Sequence, residues 1–235
     1  MRINLKWGFK EIIFIYLGII FFSLLFGFYG HNVYYFFLNI FNLADTDINF
    51  FITAFLFQFF VTILLIFTVA YRNRITLKDL GFKKASFNFY VKYGIIGGIL
   101  LMIGITLMGI PLQYLKPDIE PQFVEEMIRS ATTIQSFGIL LVVVAVLAPL
   151  SEELFYRGMI YPVFRNYIGP KWGAIIAGIV FGLAHFDLLR AIPLAVGGIV
   201  LCYIYEKTGS IIVCTIAHGM WNALMALVVY ATIFI

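Results

Sequence analysis

Charge is scarce in this chain. Asp, Glu, Lys and Arg make up 12% of its 235 residues, about half of what an ordinary globular domain carries. Cysteine is scarcer still. Cys202 and Cys214 both lie in apolar stretches, in neither a CxxC nor a Cys/His spacing, so they read as buried thiols and not as a disulfide framework or a metal centre. No stretch alternates apolar and polar residues like a strand, which argues against a β-barrel. No repeat marks a solenoid. What fills the chain instead is apolar: 63% of its residues are hydrophobic. A soluble core of this length cannot hide so much apolar surface, because buried volume grows slowly with chain length. A soluble enzyme, a disordered tail and a nucleic-acid-binding domain are thereby excluded. The composition predicts an all-α polytopic transmembrane helix bundle of about seven to eight spans, a single integral membrane domain over residues 1–235.

Seven apolar stretches approach the length of a span, at 12–28, 50–70, 91–112, 137–164, 173–186, 188–205 and 211–233. The fifth is short and the fourth long against the roughly 20 residues a crossing needs. Lys10 precedes the first stretch, but Phe26-Gly27-Phe28-Tyr29 offers no signal-peptidase site, so a retained helix is expected. Basic residues stay on the cytoplasmic side of a membrane. With the N-terminus inside, all but three of the 16 Lys and Arg residues fall inside, the exceptions being Lys116, Arg129 and Arg190. The net charge of +4 is then a matter of topology, and a multi-pass plasma-membrane protein with a cytoplasmic N-terminus is expected. Residues 116–135 hold Pro117, Asp118 and Pro121. They read as a solvated connector, with a short interfacial helix over Phe123–Arg129 as the alternative.

Ionisable groups inside spans are costly and mark function. The first three stretches hold almost none. The later ones hold Glu152, Glu153, Arg157, His185, His218 and Asn222. In a helix Glu153 and Arg157 share a face and can pair, while Glu152 points about 100° away. A lone carboxylate in low dielectric has a raised proton affinity and suits a general base. Alternatively the three form a charge cluster at a helix end. His185 can be a satisfied core histidine. His218 and Asn222 lie one turn apart and can donate to one oxygen, or form a helix-packing polar pair.

Depth discriminates between these readings. If the fourth helix runs on past Arg157 to Arg165, Glu152 lies about 20 Å from the inner end. His185 lies about 21 Å from Lys171, and His218 and Asn222 about 12 and 18 Å from Ser210. All four then share a layer, and Arg157 is a buried partner. Pro149 and Pro162 must kink or break that helix, which neighbouring groups can repair.

An acid, two imidazoles and an amide can activate water and stabilise an oxyanion. That is equipment for cutting a peptide bond in the membrane. Other designs for that task are missing: there is no His-Glu-x-x-His, no aspartate pair at depth and no Gly-x-Ser-x-Gly. The ordered set Glu152-Glu153-x-x-x-Arg157, Phe181-x-x-x-His185 and His218-x-x-x-Asn222 resembles the motifs of the CPBP family, the CAAX proteases and bacteriocin-processing, abortive-infection proteins. The resemblance covers about 137–226, while the spans over 12–112 match only in being hydrophobic. It implies an endopeptidase with Glu152 as base, His185 orienting the water, and His218 and Asn222 as oxyanion site. Glu153 and Arg157 would hold the helix and tune Glu152, and Phe181 would pack beside His185. The resemblance leaves metal use open: none is required on the reading favoured here, with zinc on Glu152, His185 and His218 the alternative. The expected partner is an apolar or lipidated peptide taken from the bilayer, with bacteriocin maturation or self-immunity as settings. Two rival classes use the same residues: a non-catalytic immunity or scaffold protein that binds peptide in this cavity, and a proton relay or small transporter. The last is weakened by the lack of an inverted repeat.

Overall fold

A computed structural model describes residues 5–116 and 120–234. Arg2, Pro117 and Asp118 lie outside the described residues. Among the described residues there are helices and no strand. The principal ones are α1 (Phe9–Phe41), α2 (Asp47–Arg72), α3 (Gly97–Leu115), α4 (Phe123–Arg129), α5 (Ile134–Val142), α6 (Ala148–Phe155), α7 (Tyr161–Leu183), α8 (Ala191–Thr208) and α9 (Ile211–Ala231). Six continuous helical runs are long and apolar enough to cross a membrane. The chain is a multi-pass membrane protein.

The expected count of seven to eight meets these six runs at one position. The run Ile134–Leu183 has 50 residues and contains both the fourth and fifth stretches of the sequence. At Gly169 the backbone leaves the helix, with φ 82° and ψ 169°, and Pro170 follows. Glycine takes this φ without penalty. The chain doubles back there: a Cβ placed on Gly173 would stand 2.7 Å from the Arg165 amide nitrogen. With the two limbs of α7 taken separately, the bundle has the seven segments expected, the fifth of them short.

Small residues set the helix spacing. Gly178 and Gly182 let the second limb of α7 lie directly on α8, against Ala195 and Ala191, the close approach that small-residue stripes permit in membranes. Gly98 brings α3 onto the Ala217 carbonyl of α9 in the same way.

Two π segments flank α6, Val143–Leu147 before it and Tyr156–Ile160 after it. Each ends two residues before a proline, Pro149 and Pro162. Proline offers no N–H to a preceding carbonyl, and a π turn absorbs the mismatch. The helix thus runs on past Arg157, as the depth argument requires.

The connector reading of 123–129 needs correction. This stretch is helix α4, and its Met127 and Ile128 are buried in a cluster with Phe51, Phe137 and Ala226. Two apolar residues side by side on an otherwise charged turn were enough to dock it.

Candidate active site

α6 presents its acids to α9. Glu153 and Arg157 are both 0% exposed. Arg157 Nη1 donates to Glu153 Oε1 at 2.7 Å, and its Nη2 donates to the Gly198 carbonyl of α8 at 2.9 Å. The guanidinium also lies over the Phe181 ring, 4.9 Å from its centroid. Glu153 Oε2 and Arg157 Nε have no hydrogen-bond partner, so charge neutralisation across the pair does most of the work of keeping it buried.

Glu153 has a second partner that sequence reasoning missed. Its Oε1 lies 2.8 Å from His218 Nδ1. A carboxylate oxygen accepts, so Nδ1 donates in this contact and Nε2 lies on the other side of the ring. Glu152 Oε2 stands 3.8 Å from that Nε2, and the Glu152 side chain is 33% exposed. This spacing is too long for a direct hydrogen bond and short enough for one water to bond to both atoms. The imidazole is stacked on Trp221, with centroids 5.3 Å apart at 28°, and meets the edge of Phe181 at 5.7 Å. Trp221 in turn lies against the bare Cα of Gly197.

Asn222, one turn further along α9, faces the same helical run. Its Nδ2 donates to the Val144 carbonyl of the first π segment at 2.9 Å. Gly219 lies between the two motif residues and touches the Ala145 carbonyl, the oxygen that Pro149, four residues on, cannot serve. The His218-Gly219-x-x-Asn222 sequence therefore reads out the carbonyls that a proline-disturbed helix leaves over. One Nδ2 hydrogen of Asn222 remains for another acceptor.

His185 sits apart. Its Nδ1 lies 2.9 Å from the Phe181 carbonyl; a carbonyl only accepts, so Nδ1 carries the proton and Nε2 is free. Its ring packs on Phe181 at 4.9 Å, but among the described residues no hydrogen bond joins it to Glu152, His218 or Asn222. Beyond it, Phe186 adopts φ 54° and Asp187 closes the loop onto Arg190 at 2.6 Å. Burial alone would raise the Asp187 carboxyl, but the Arg190 guanidinium and the Arg190 and Leu189 amides outweigh it and hold it below its ordinary value. The structure thus brings together Glu152, Glu153, Arg157, Phe181 and His218, places Asn222 one turn away and leaves His185 at the rim. Among the described residues no three His, Cys, Asp or Glu side chains converge as metal ligands would, so the set Glu152, His185 and His218 does not fit a bound ion here.

An apolar groove of about 440 Å³ opens between α2 and α5, lined by Ile52, Leu56, Val143 and Leu147 among others. One wall is the π segment that leads to Glu152. Cys202 and Cys214 are buried and unbridged.

Residues 134–224 match the family model described as type II CAAX prenyl endopeptidase Rce1-like. The resemblance carried by the three motifs is borne out over this segment. The chain is 24% identical over 94 residues to "Putative membrane peptidase YdiL" of Bacillus subtilis (strain 168), covering 40% of this chain and 38% of the relative. It is 30% identical over 88 residues to "UPF0177 protein YaiF" of Lactococcus lactis subsp. lactis (strain IL1403), covering 36% of this chain and 38% of the relative. The chain thus spans about two-fifths of the length of the curated relatives it matches. No solved structure matches it.

Proposed function

We propose that this chain, with its Rce1-like segment over 134–224, is an intramembrane endopeptidase that hydrolyses a peptide bond with a water activated by Glu152. The observation that carries the reading is the 3.8 Å gap between Glu152 Oε2 and His218 Nε2, with the far side of that imidazole held by a buried carboxylate. In the proposed step, a water in this gap gives a proton to Glu152 as its oxygen attacks the scissile carbonyl carbon. Charge then develops on the carbonyl oxygen. In the proposed form the His218 imidazole carries a hydrogen on both nitrogens from the outset, with the Glu153 carboxylate behind Nδ1; Nε2–H donates to that oxygen and takes no proton from the water, and the free Nδ2 hydrogen of Asn222 donates to it as well. When the C–N bond breaks, the proton on Glu152 passes to the departing amine. Nε2 of His185 orients the incoming water from the rim once substrate is seated; apo geometry is often looser than the working complex. The protein's own groups supply base and donors, and no step here needs a metal.

The substrate is an apolar or lipidated peptide segment that reaches the acids along the groove between α2 and α5. The N-terminus faces the cytoplasm of a plasma membrane, and bacteriocin maturation or self-immunity are settings that suit such an enzyme. The distance of His185 from the acid favours one second reading: an immunity or scaffold protein that binds peptide in the same place without cutting it.

Glu152→Gln separates the two. The variant, purified and reconstituted with a membrane-anchored peptide reporter, should fold and bind as wild type while cleavage disappears. Cleavage at the wild-type rate would remove Glu152 as the base.

A further inference from the structure

At the membrane boundary where α1 begins and α2 ends, a separate crevice of about 410 Å³ is lined by Lys10, Glu11, Phe14, Val69, Arg72 and Asn73. Other cations near this boundary have acidic partners: Lys6 pairs with Asp79 at 2.7 Å and Arg165 with Glu206 at 2.7 Å. Lys10 and Arg72 have none among the described residues, and both are exposed. Lys83 and Lys84 are also exposed, but do not line this crevice. Its apolar lining is Phe14 and Val69. From it the exposed side chains of Phe14, Leu17 and Phe21 form a ridge along α1 toward the bilayer centre. The crevice is therefore amphipathic in depth, with two unpaired cations at the rim and hydrocarbon below.

Glu11 sharpens the chemistry. Its Oε2 takes the Gly8 amide at 2.7 Å, closing the first turn of α1, and its other oxygen has no donor among the described residues. A ligand here must offer anionic oxygen to Lys10 and Arg72 and a hydrogen-bond donor to Glu11. We propose that this crevice binds one glycerophospholipid whose headgroup carries a donor beyond the phosphate. The phosphodiester lies between Lys10 and Arg72, the ammonium of phosphatidylethanolamine or the hydroxyls of phosphatidylglycerol meet Glu11, and an acyl chain follows the α1 ridge. Phosphatidylcholine, whose trimethylammonium has no N–H, binds less well. Juxtamembrane cations are the usual readers of lipid phosphate; here the two are held apart by separate helices over a fixed floor. The site is independent of the proteolytic reading, and it would tie α1 to α2 at the end where α1 enters the membrane.

Native mass spectrometry of the full chain in detergent tests it, with phosphatidylethanolamine, phosphatidylglycerol, phosphatidylcholine and inorganic phosphate as separate additions. Wild type should retain the first two, bind phosphatidylcholine less, and show no displacement by inorganic phosphate at equal concentration. Lys10→Gln and Arg72→Gln should each weaken retention about fivefold, and the double substitution more. Lys83→Gln/Lys84→Gln should leave retention unchanged. Both sites are exposed, so the single variants keep the test open if the double variant folds poorly. Equal retention by wild type and the Lys10 and Arg72 variants overturns the site. Displacement by inorganic phosphate makes it a free-anion site and overturns the lipid assignment. Equal binding of phosphatidylcholine overturns the role of Glu11.

Discussion

Arg157→Ala should be among the most damaging single changes in the protein. The residue is 0% exposed, and its guanidinium neutralises Glu153, satisfies the Gly198 carbonyl and fills the space over the Phe181 ring. Removing one partner of a buried ion pair costs about 3–5 kcal/mol, because the other charge is left behind. For a chain of this size that corresponds to a fall of about 6–20 °C in the unfolding midpoint. Thermal unfolding in detergent, read by loss of the monodisperse size-exclusion peak, measures it. A companion variant, Glu153→Gln with Arg157→Met, removes both charges and should recover most of the midpoint, yet cleavage should be lost because His218 has no carboxylate behind Nδ1. An Arg157→Ala protein as stable as wild type would refute the buried pair as described.

Gly219→Ala places a methyl against the Ala145 carbonyl and should destabilise by about 1–3 kcal/mol, visible as a lower midpoint. Asn222→Ala leaves the Val144 carbonyl without its donor, which costs about 1–3 kcal/mol when buried; the proposed mechanism adds a fall in turnover beyond that, and turnover that merely follows folded yield would mean a packing role alone. At the boundary where α1 begins, hydrogen bonds from Lys6 and from Thr76 hold the Asp79 carboxyl down from 3.8 to about 2. Its folded value is depressed, so its contribution is complete above the ordinary carboxylate range and is lost as pH falls from about 4 toward 2. Proteolysis of the segment before α1 should accelerate across that window in wild type and much less in Asp79→Asn.

The parts of this molecule that sequence made legible are those governed by periodicity and depth. Apolar run lengths located the spans, and residue counts from Arg165 and Ser210 put Glu152 and His218 at depths where they stand 3.8 Å apart, while His185, counted from Lys171 into the same layer, is exposed at the end of α7. Glu153 and Arg157 were paired by one-turn spacing alone. What escaped were contacts between helices distant in sequence. Nothing in the order of residues says that Glu153 will hold His218, 65 positions away, or that Asn222 will meet a main-chain oxygen instead of a side chain. The hairpin in α7 turns at Gly169-Pro170, between the fourth and fifth apolar stretches, and the close approaches at Gly197 and Gly219 became visible only with the fold. The place of His185, exposed just past the end of α7, depends on the loop after it, where Asp187 and Arg190 settle the chain by local hydrogen bonds.

The two π segments give the approach to α6 an unusual tolerance in chain length. Each accommodates a residue that a regular helix would not need. Deleting one position between Val143 and Leu147 should let the wide turn close to an α turn, with Glu152 and Glu153 kept near their present direction. Deleting one position inside α6 itself, where the helix is regular, has no such slack and would swing the residues after it by about 100° relative to those before it. The outward face of α1 has no such phase to keep and should absorb apolar exchanges freely. In this protein a lost codon at Ser151 would be graver than most replacements, though a hydropathy profile would scarcely change.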